Sequence, residues 1–157
     1  MTYVVRPIGW VRSTRAEPTD DGWDKERGSI ELADDVPDEA LDGLGLFSHV
    51  VVLFVFDRAS DAPPAPFLRH PRGNVSYPKV GIFAQRAKDR PNRLGVSTCR
   101  IVSVAARRVE VEGLDAIDGT PVLDLKAHID QFGPRGEVHQ PAWVDDLMAS
   151  YFVDPTT

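Results

Sequence analysis

Residues 94–114, LGVSTCRIVSVAARRVEVEGL, carry two apolar patterns joined by a very short connection. The first part, 94–105, is rich in β-branched side chains. The second, RRVEVEGL at 107–114, alternates cleanly, with Val109 and Val111 on one face and Glu110 and Glu112 on the other. A period of two marks a half-buried strand. The Ala-Ala-Arg link is short enough to fold the two strands into a hairpin. Antiparallel β structure is therefore the first expectation.

The flanking sequence extends that reading. HVVVLFVFDR (49–58) is a continuous apolar run, as expected for a strand buried on both faces. VVRPIGWVRS near the start, interrupted by Pro7, GSIELA (28–33), KVGIFAQR (79–86) and TPVLDLKAHI (120–129) are further candidate strands. Helical signals are fewer. PDEALDGL (37–44) has Pro37 at a first-turn position with acids behind it. PAWVDDLMASYF (141–152) begins at Pro141 and spaces Trp143, Leu147 and Tyr151 as a stripe suited to core or dimer packing. Thirteen prolines and twelve glycines argue against a helical bundle. The expectation is a mainly β protein with short helices, a closed or nearly closed single-domain β-barrel spanning residues 1–157. The proline-dense stretch 61–78 is a long excursion within it, of a kind that is usually functional or mobile.

With 157 residues and 42% apolar content, the chain can bury a substantial core. It has one cysteine, Cys99, which excludes an intramolecular disulfide and a cysteine-rich zinc site. Cys99 lies in an apolar strand, so a buried, inert thiol is expected. No signal-like apolar core opens the sequence, and no stretch approaches membrane-spanning length, so a soluble cytoplasmic protein is expected.

The formal charge is −6, yet it is unevenly spread. Residues 17–42 hold eleven acids and residues 110–157 hold ten, while residues 86–108 carry seven cations against Asp89 alone. Two readings follow: a positive face on an acidic body, or cations that pair with the flanking acids across strands.

Several chemistries have no motif here. There is no dinucleotide or phosphate-loop glycine fingerprint and no nucleophile elbow. His49, His70, His128 and His139 lie far apart without metal-ligand spacing, so no metal is expected. Three constellations remain. In DRPNRLG (89–95), proline presets one backbone angle, Asn92 tolerates left-handed geometry, and Gly95 permits close approach of a ligand. Asp118-Gly119 in LDAIDGTPVLDLK (114–126) is a strong turn signal whose polar groups suit a ligand. FDR (56–58) ends the most apolar strand with a charged pair.

In order along the chain, SHVVVLFVFDR, VGIFAQRAKDRPNRLGVS and LDAIDGTPVLDLKAHI resemble the signature blocks of the TsaA-like, or TrmO, family. The opening RPIGWVRS is similar to that family's entry motif, and the resemblance covers about residues 5–145. It implies a small non-Rossmann β-barrel that binds S-adenosylmethionine, a homodimer, and tRNA as partner. The implied activity is N6-methylation of N6-threonylcarbamoyladenosine beside the anticodon. A methyltransferase acting on a small molecule or nucleoside, and a non-catalytic cofactor- or RNA-binding module, are the alternatives. By the same resemblance, cofactor contacts fall on Trp23, Asp24, Lys25, Asp57, Arg58, Arg86, Val96 and the turn Asp118, Gly119, Thr120 and Pro121. Asp118 and Asp57 are candidate bases, and Lys88, Arg90, Asn92 and Arg93 face the substrate. Three positions depart from the family pattern: Asp57 replaces a histidine, Arg93 the second proline of R-P-N-P, and Ala127 the proline of K-P.

Overall fold

The computed structural model describes residues 1–24, 26–59 and 66–152. Six antiparallel strands close a barrel in the order β1 (Gly9–Ser13), β2 (Arg27–Leu32), β7 (Arg108–Glu112), β6 (Leu94–Ala105), β3 (His49–Val55) and β8 (Pro121–Ala127). A separate two-stranded ribbon joins β4 (Leu68–Arg69) to β5 (Val80–Gly81). The expected mainly β barrel is thus present.

The hairpin of 94–114 forms as read. Ala105 pairs with Arg108, and Ala106 turns the chain at a φ of 49°. Cross-strand pairs Cys99–Val50, Ser97–Val52 and Gly95–Phe54 face the barrel interior from β6 and β3. The interior is completed by Val11, Ile30, Leu32, Val109, Val111, Leu114 and Val122. Each such aliphatic side chain contributes about 1.5–3 kcal/mol when fully removed from water.

Two irregularities tune this core. The β6–β7 register shifts between Ile101 and Ser103, and the β3–β8 register shifts between Leu53 and Phe54. The second shift passes over Leu123 and brings Leu125 opposite Val52 and Val122 opposite Phe54. Such bulges bend strands and sharpen the twist that closure requires. Closure is a short ladder of two residue pairs, Gly9–Val122 and Trp10–Pro121, with the Ile8 and Val11 amides donating to the carbonyls of Val122 and Thr120. Glycine is required at 9, because a Cβ there would lie 2.3 Å from the Glu31 carbonyl oxygen.

Several expectations need correction. β3 is buried on one face only: Val50, Val52 and Phe54 point inward, while Val51, Leu53 and Val55 are half-covered. A closed barrel has one dry face, and continuous apolar sequence does not reveal that. KVGIFAQR yields only the two-residue β5 before a 3-10 turn at Ile82–Ala84. PDEALDGL forms 3-10 turns at Asp38–Leu41 and Leu44–Leu46, separated by Gly43 at a φ of 81°. The C-terminal helix α1 is Ala142–Met148, so Tyr151 lies beyond it. Part of the 61–78 excursion lies outside the described residues.

The cross-strand reading of charge holds for part of the basic segment. Glu112 sits between Arg27 and Arg100, and Glu31 between Arg12 and Arg108. Hydrogen bonds from Arg12 and then Arg108 hold the Glu31 carboxyl below its usual range, and Arg100 chiefly does the same for Glu112. Arg107 reaches Asp38, and Lys88 pairs with Asp89 at 3.1 Å. These exposed pairs tune register more than they stabilise.

Candidate functional site

The turn at 118–121 is fastened to the end of β1. Asp118 and Gly119 donate their backbone N–H groups to the carbonyls of Arg15 and Val11, each at 2.8 Å. Ser13 N–H donates to Asp118 Oδ1 at 3.0 Å, and Thr120 Oγ1 donates to the Ile117 carbonyl at 2.8 Å. Gly119 has a φ of 81°, the left-handed geometry that the Asp-Gly pair announces. Because Asp118, Gly119 and Thr120 all donate their amides within the protein, those amides are not the polar groups that the turn offers a ligand.

Arg58 spans this turn and the N-terminal loop. Its guanidinium donates to the carbonyl of Ala16 at 3.1 Å and to that of Asp118 at 3.2 Å. Arg15 extends the link. Its carbonyl receives the Asp118 amide, while its guanidinium lies 4.0 Å over the Trp23 ring. Trp23 is 3% exposed, and its indole Nε1 has no hydrogen-bond partner among the described residues. An unpartnered buried donor costs about 1–3 kcal/mol, so this one is a position where an acceptor would be welcome. The Trp23 backbone N–H donates to the Tyr151 carbonyl at 2.9 Å.

Tyr151 continues the chain of contacts inward. Its hydroxyl donates to Asp115, whose other oxygen receives the hydroxyl of Ser97 from the barrel interior. Burial first, then the Asp115 charge, pushes the Tyr151 phenol well above its ordinary range, while Arg86 and Arg72 oppose that shift. Arg86 in turn donates to the Val96 carbonyl, next to Ser97. Burial likewise pushes the Cys99 thiol up to about 12, the inert state expected of it.

The structure therefore joins Arg58, Asp118, Gly119, Thr120, Trp23, Arg86 and Val96 through one connected set of bonds. Arg15, Ser97, Asp115 and Tyr151 belong to that set and were missed by sequence reasoning. Ser97 ends the G-x-S part of a signature block and Asp115 stands three residues before Asp118, so both were within reach. Tyr151 was not, because nothing local links it to a residue 36 positions away. Pro121 begins β8 beside Trp10. Asp24 and Asp57 are exposed, and the Asp57 carboxylate has no partner among the described residues. Lys25 lies outside the described residues.

Of the residues expected to face the substrate, Lys88 is exposed beside Asp89, and Arg90 donates to the Gln85 carbonyl at 2.9 Å. Arg93 donates to the Ala59 carbonyl at 3.1 Å. Asn92 takes a φ of 62°, as its residue type suggested, and Arg93 takes 50°. Proline, fixed near −65°, has no access to that geometry, so the family's proline and this arginine require different local backbones. Gly95 also needs a correction: a Cβ there would meet the Phe54 ring at 2.4 Å. What approaches this glycine is the protein's own core. Among the described residues, no group of three or more His, Cys, Asp or Glu side chains could hold a metal ion, and no helix is long and apolar enough to cross a membrane.

Comparison with known proteins bears on this arrangement. The sequence profile of the tRNA-methyltransferase O N-terminal domain matches residues 11–133. A Pseudomonas aeruginosa protein with the inferred name S-adenosylmethionine-dependent methyltransferase RcsF is 40% identical over 145 residues, covering 82% of this chain and 58% of its own length. The human tRNA (adenine(37)-N6)-methyltransferase is 35% identical over 105 residues, covering 67% of this chain and 23% of its own. The crystal structure of TrmO from Pseudomonas aeruginosa superposes with a TM-score of 0.73 at 34% identity, covering 91% of this chain and 62% of that one. The chain thus spans little more than half the length of the bacterial relative. On the profile match, the sequence identity and the shared barrel together, it belongs to the tRNA-methyltransferase O N-terminal domain family.

Proposed function

We propose that this chain is an S-adenosylmethionine-dependent methyltransferase that methylates N6 of N6-threonylcarbamoyladenosine in the tRNA anticodon loop. The observation that carries the reading is the connected set running from Arg58 through Asp118, Arg15 and Trp23 to Tyr151, Asp115 and Ser97. It draws on the family's signature blocks and contains a buried, unpartnered donor, Trp23 Nε1. When bound, S-adenosylmethionine supplies an electrophilic methyl group on a sulfonium centre.

The chain's own residues fit such a group. Arg58 and Arg86 each commit guanidinium donors to carbonyls and keep their charge, which suits a carboxylate. Trp23 Nε1 offers a donor in a dry position, and Asp115 offers a carboxylate to an ammonium in place of the two hydroxyls it now holds. The N6 nitrogen of a carbamoylated adenosine is conjugated and weakly nucleophilic, so loss of its proton favours reaction. Asp57 suits that base role better than Asp118, whose Oδ1 is already bonded by Ser13. Lys88, Arg90, Asn92 and Arg93 orient the RNA, and close alignment of the reacting atoms supplies much of the rate. The active form in this reading is a cytoplasmic homodimer of one 1–157 domain.

Incubation with methyl-labelled cofactor and total tRNA, followed by nucleoside mass spectrometry, tests this directly. The expected product is the N6-methylated nucleoside. Label entering small nucleosides but no RNA would refute the tRNA assignment, and cofactor binding without any turnover would favour a non-catalytic module. At saturating cofactor, Asp57→Asn is expected to slow single-turnover methylation by about 100-fold or more.

A further inference from the structure

Residues 66–93 contain Arg69, Arg72, Lys79, Arg86, Lys88, Arg90 and Arg93 against the single acid Asp89. This is the most basic part of an acidic chain, and it is built as one unit. The β4–β5 ribbon pairs Leu68 with Gly81 and Arg69 with Val80, and the Ile82 amide donates to the Phe67 carbonyl at 2.9 Å. Gln85 Nε2 donates to the carbonyls of Arg69 and Val80 at 3.2 and 2.9 Å. Arg69 reaches the Asp89 carbonyl at 3.0 Å, and Arg90 reaches that of Gln85. Ile82, 2% exposed, anchors the unit.

Arg72 and Lys88 are paired with Asp21 and Asp89, at 3.0 and 3.1 Å; Arg69, Arg86 and Arg90 instead bond to carbonyl oxygens, which hold the guanidiniums in place without cancelling their charge. Beside them the ribbon shows Phe67 at 55% and Phe83 at 80% exposure, with Leu68 also exposed. Scattered apolar surface residues are ordinary. Two exposed aromatic rings on a fixed ribbon, set among uncancelled cations, form a narrower combination. Cations favour a polyanion, and exposed rings favour flat π-faces. Unpaired nucleotides offer both. A second copy of this chain is the poorer occupant, because a two-fold contact through this unit would bring its cations against their own images.

We propose that the β4–β5 ribbon and the 85–93 loop form a stacking platform for unpaired RNA bases, with Phe67 and Phe83 as the stacking faces and Lys79, Lys88 and Arg90 as phosphate contacts. This rests on the RNA reading above and adds where, and through which chemistry, the strand docks.

The test uses the full chain and two fluorescent probes: a stem-loop RNA with an open loop, and a fully paired RNA duplex of equal length. Phe67→Ala and Phe83→Ala alter exposed side chains and should leave folding intact, as circular dichroism and thermal melting would verify. Each is expected to weaken stem-loop binding by roughly 5- to 100-fold while duplex binding changes little. Lys79→Gln should weaken both probes and lower the salt dependence by about one counterion. Unchanged stem-loop affinity in both phenylalanine variants overturns the proposal. So does loss of a dimer in sedimentation velocity that accounts for their weakened binding. If the platform binds RNA as expected but no RNA is methylated, the enzymatic reading fails while the platform stands. If both variants methylate RNA and bind it with full affinity, the platform fails while the enzymatic reading stands.

Discussion

Replacing Gly95 with alanine places a methyl group into the Phe54 ring. The new Cβ would lie 2.4, 2.5 and 2.9 Å from Cε2, Cζ and Cδ2 of that ring, where carbon atoms normally rest about 3.5–4.0 Å apart. Relief demands a ring shift of about 1 Å on those contact distances. Phe54 has little freedom to make it, being 1% exposed and packed edge-on against Phe56 at 5.2 Å between centroids. Overpacking of this kind costs about 1–3 kcal/mol. For a chain of this size, that lowers Tm by roughly 2–4 °C per kcal/mol. Urea unfolding of Gly95→Ala, Phe54→Leu and the double variant measures it. Leucine removes the obstructing ring atoms, so the double variant should be more stable than additivity predicts by at least about 1 kcal/mol. Gly95→Ala unfolding at the wild-type midpoint, or strict additivity in the double variant, would refute the claim that this glycine exists for the core and not for a ligand.

Other consequences are as concrete. Tyr151 stays protonated in the native state above the pH of about 10 at which an unfolded phenol ionises, so the unfolded chain binds fewer protons there and stability falls as pH rises. Tyr151→Phe should flatten this alkaline decline by up to about 1.4 kcal/mol per pH unit, leaving the part due to Cys99; an unchanged slope by denaturant titration would contradict a phenol buried against Asp115. Cys99 should resist a thiol reagent at neutral pH until the protein is unfolded, and rapid modification of the native protein would contradict its burial. Arg93→Pro restores the family residue yet removes the N–H that donates to the Arg90 carbonyl at 3.0 Å and forbids a φ of 50°. It should destabilise by about 1–3 kcal/mol, whereas Arg93→Gly should be tolerated; a neutral proline variant would show that the loop accepts the family backbone.

How much of this was legible depended on whether the signal was local. Val109 and Val111 alternate with Glu110 and Glu112, and the short Ala-Ala-Arg link precedes them, so the central hairpin could be read directly. The Asp118-Gly119 turn and the left-handed Asn92 were readable from residue type alone. The one-sided burial of HVVVLFVFDR was not, since closure decides which face stays dry. The helical reading of 37–44 failed because Gly43 breaks a segment already too short for more than single turns. At the candidate site, family blocks pointed to Arg58, Arg86, Val96 and the 118–121 turn. They gave no hint that Arg15 and Tyr151 connect them, because each contact joins segments distant in sequence. The charge reading divided similarly: Arg100 and Arg108 find acids across strands and Arg107 finds Asp38 on a turn, while Arg86 and Arg90 bond to carbonyls.

The two-pair closure between β1 and β8 has a further consequence. It is the shortest ladder in the barrel, two pairs against five or more at every other join, so this seam is the one expected to open first. Opening there would free two strand edges at once while leaving the β2–β7–β6–β3 sheet intact. Amide hydrogens of β1 should therefore exchange with solvent sooner than those of β6. The exposed edges would also be the first template for intermolecular pairing, so the same seam sets where aggregation begins when the protein is warmed.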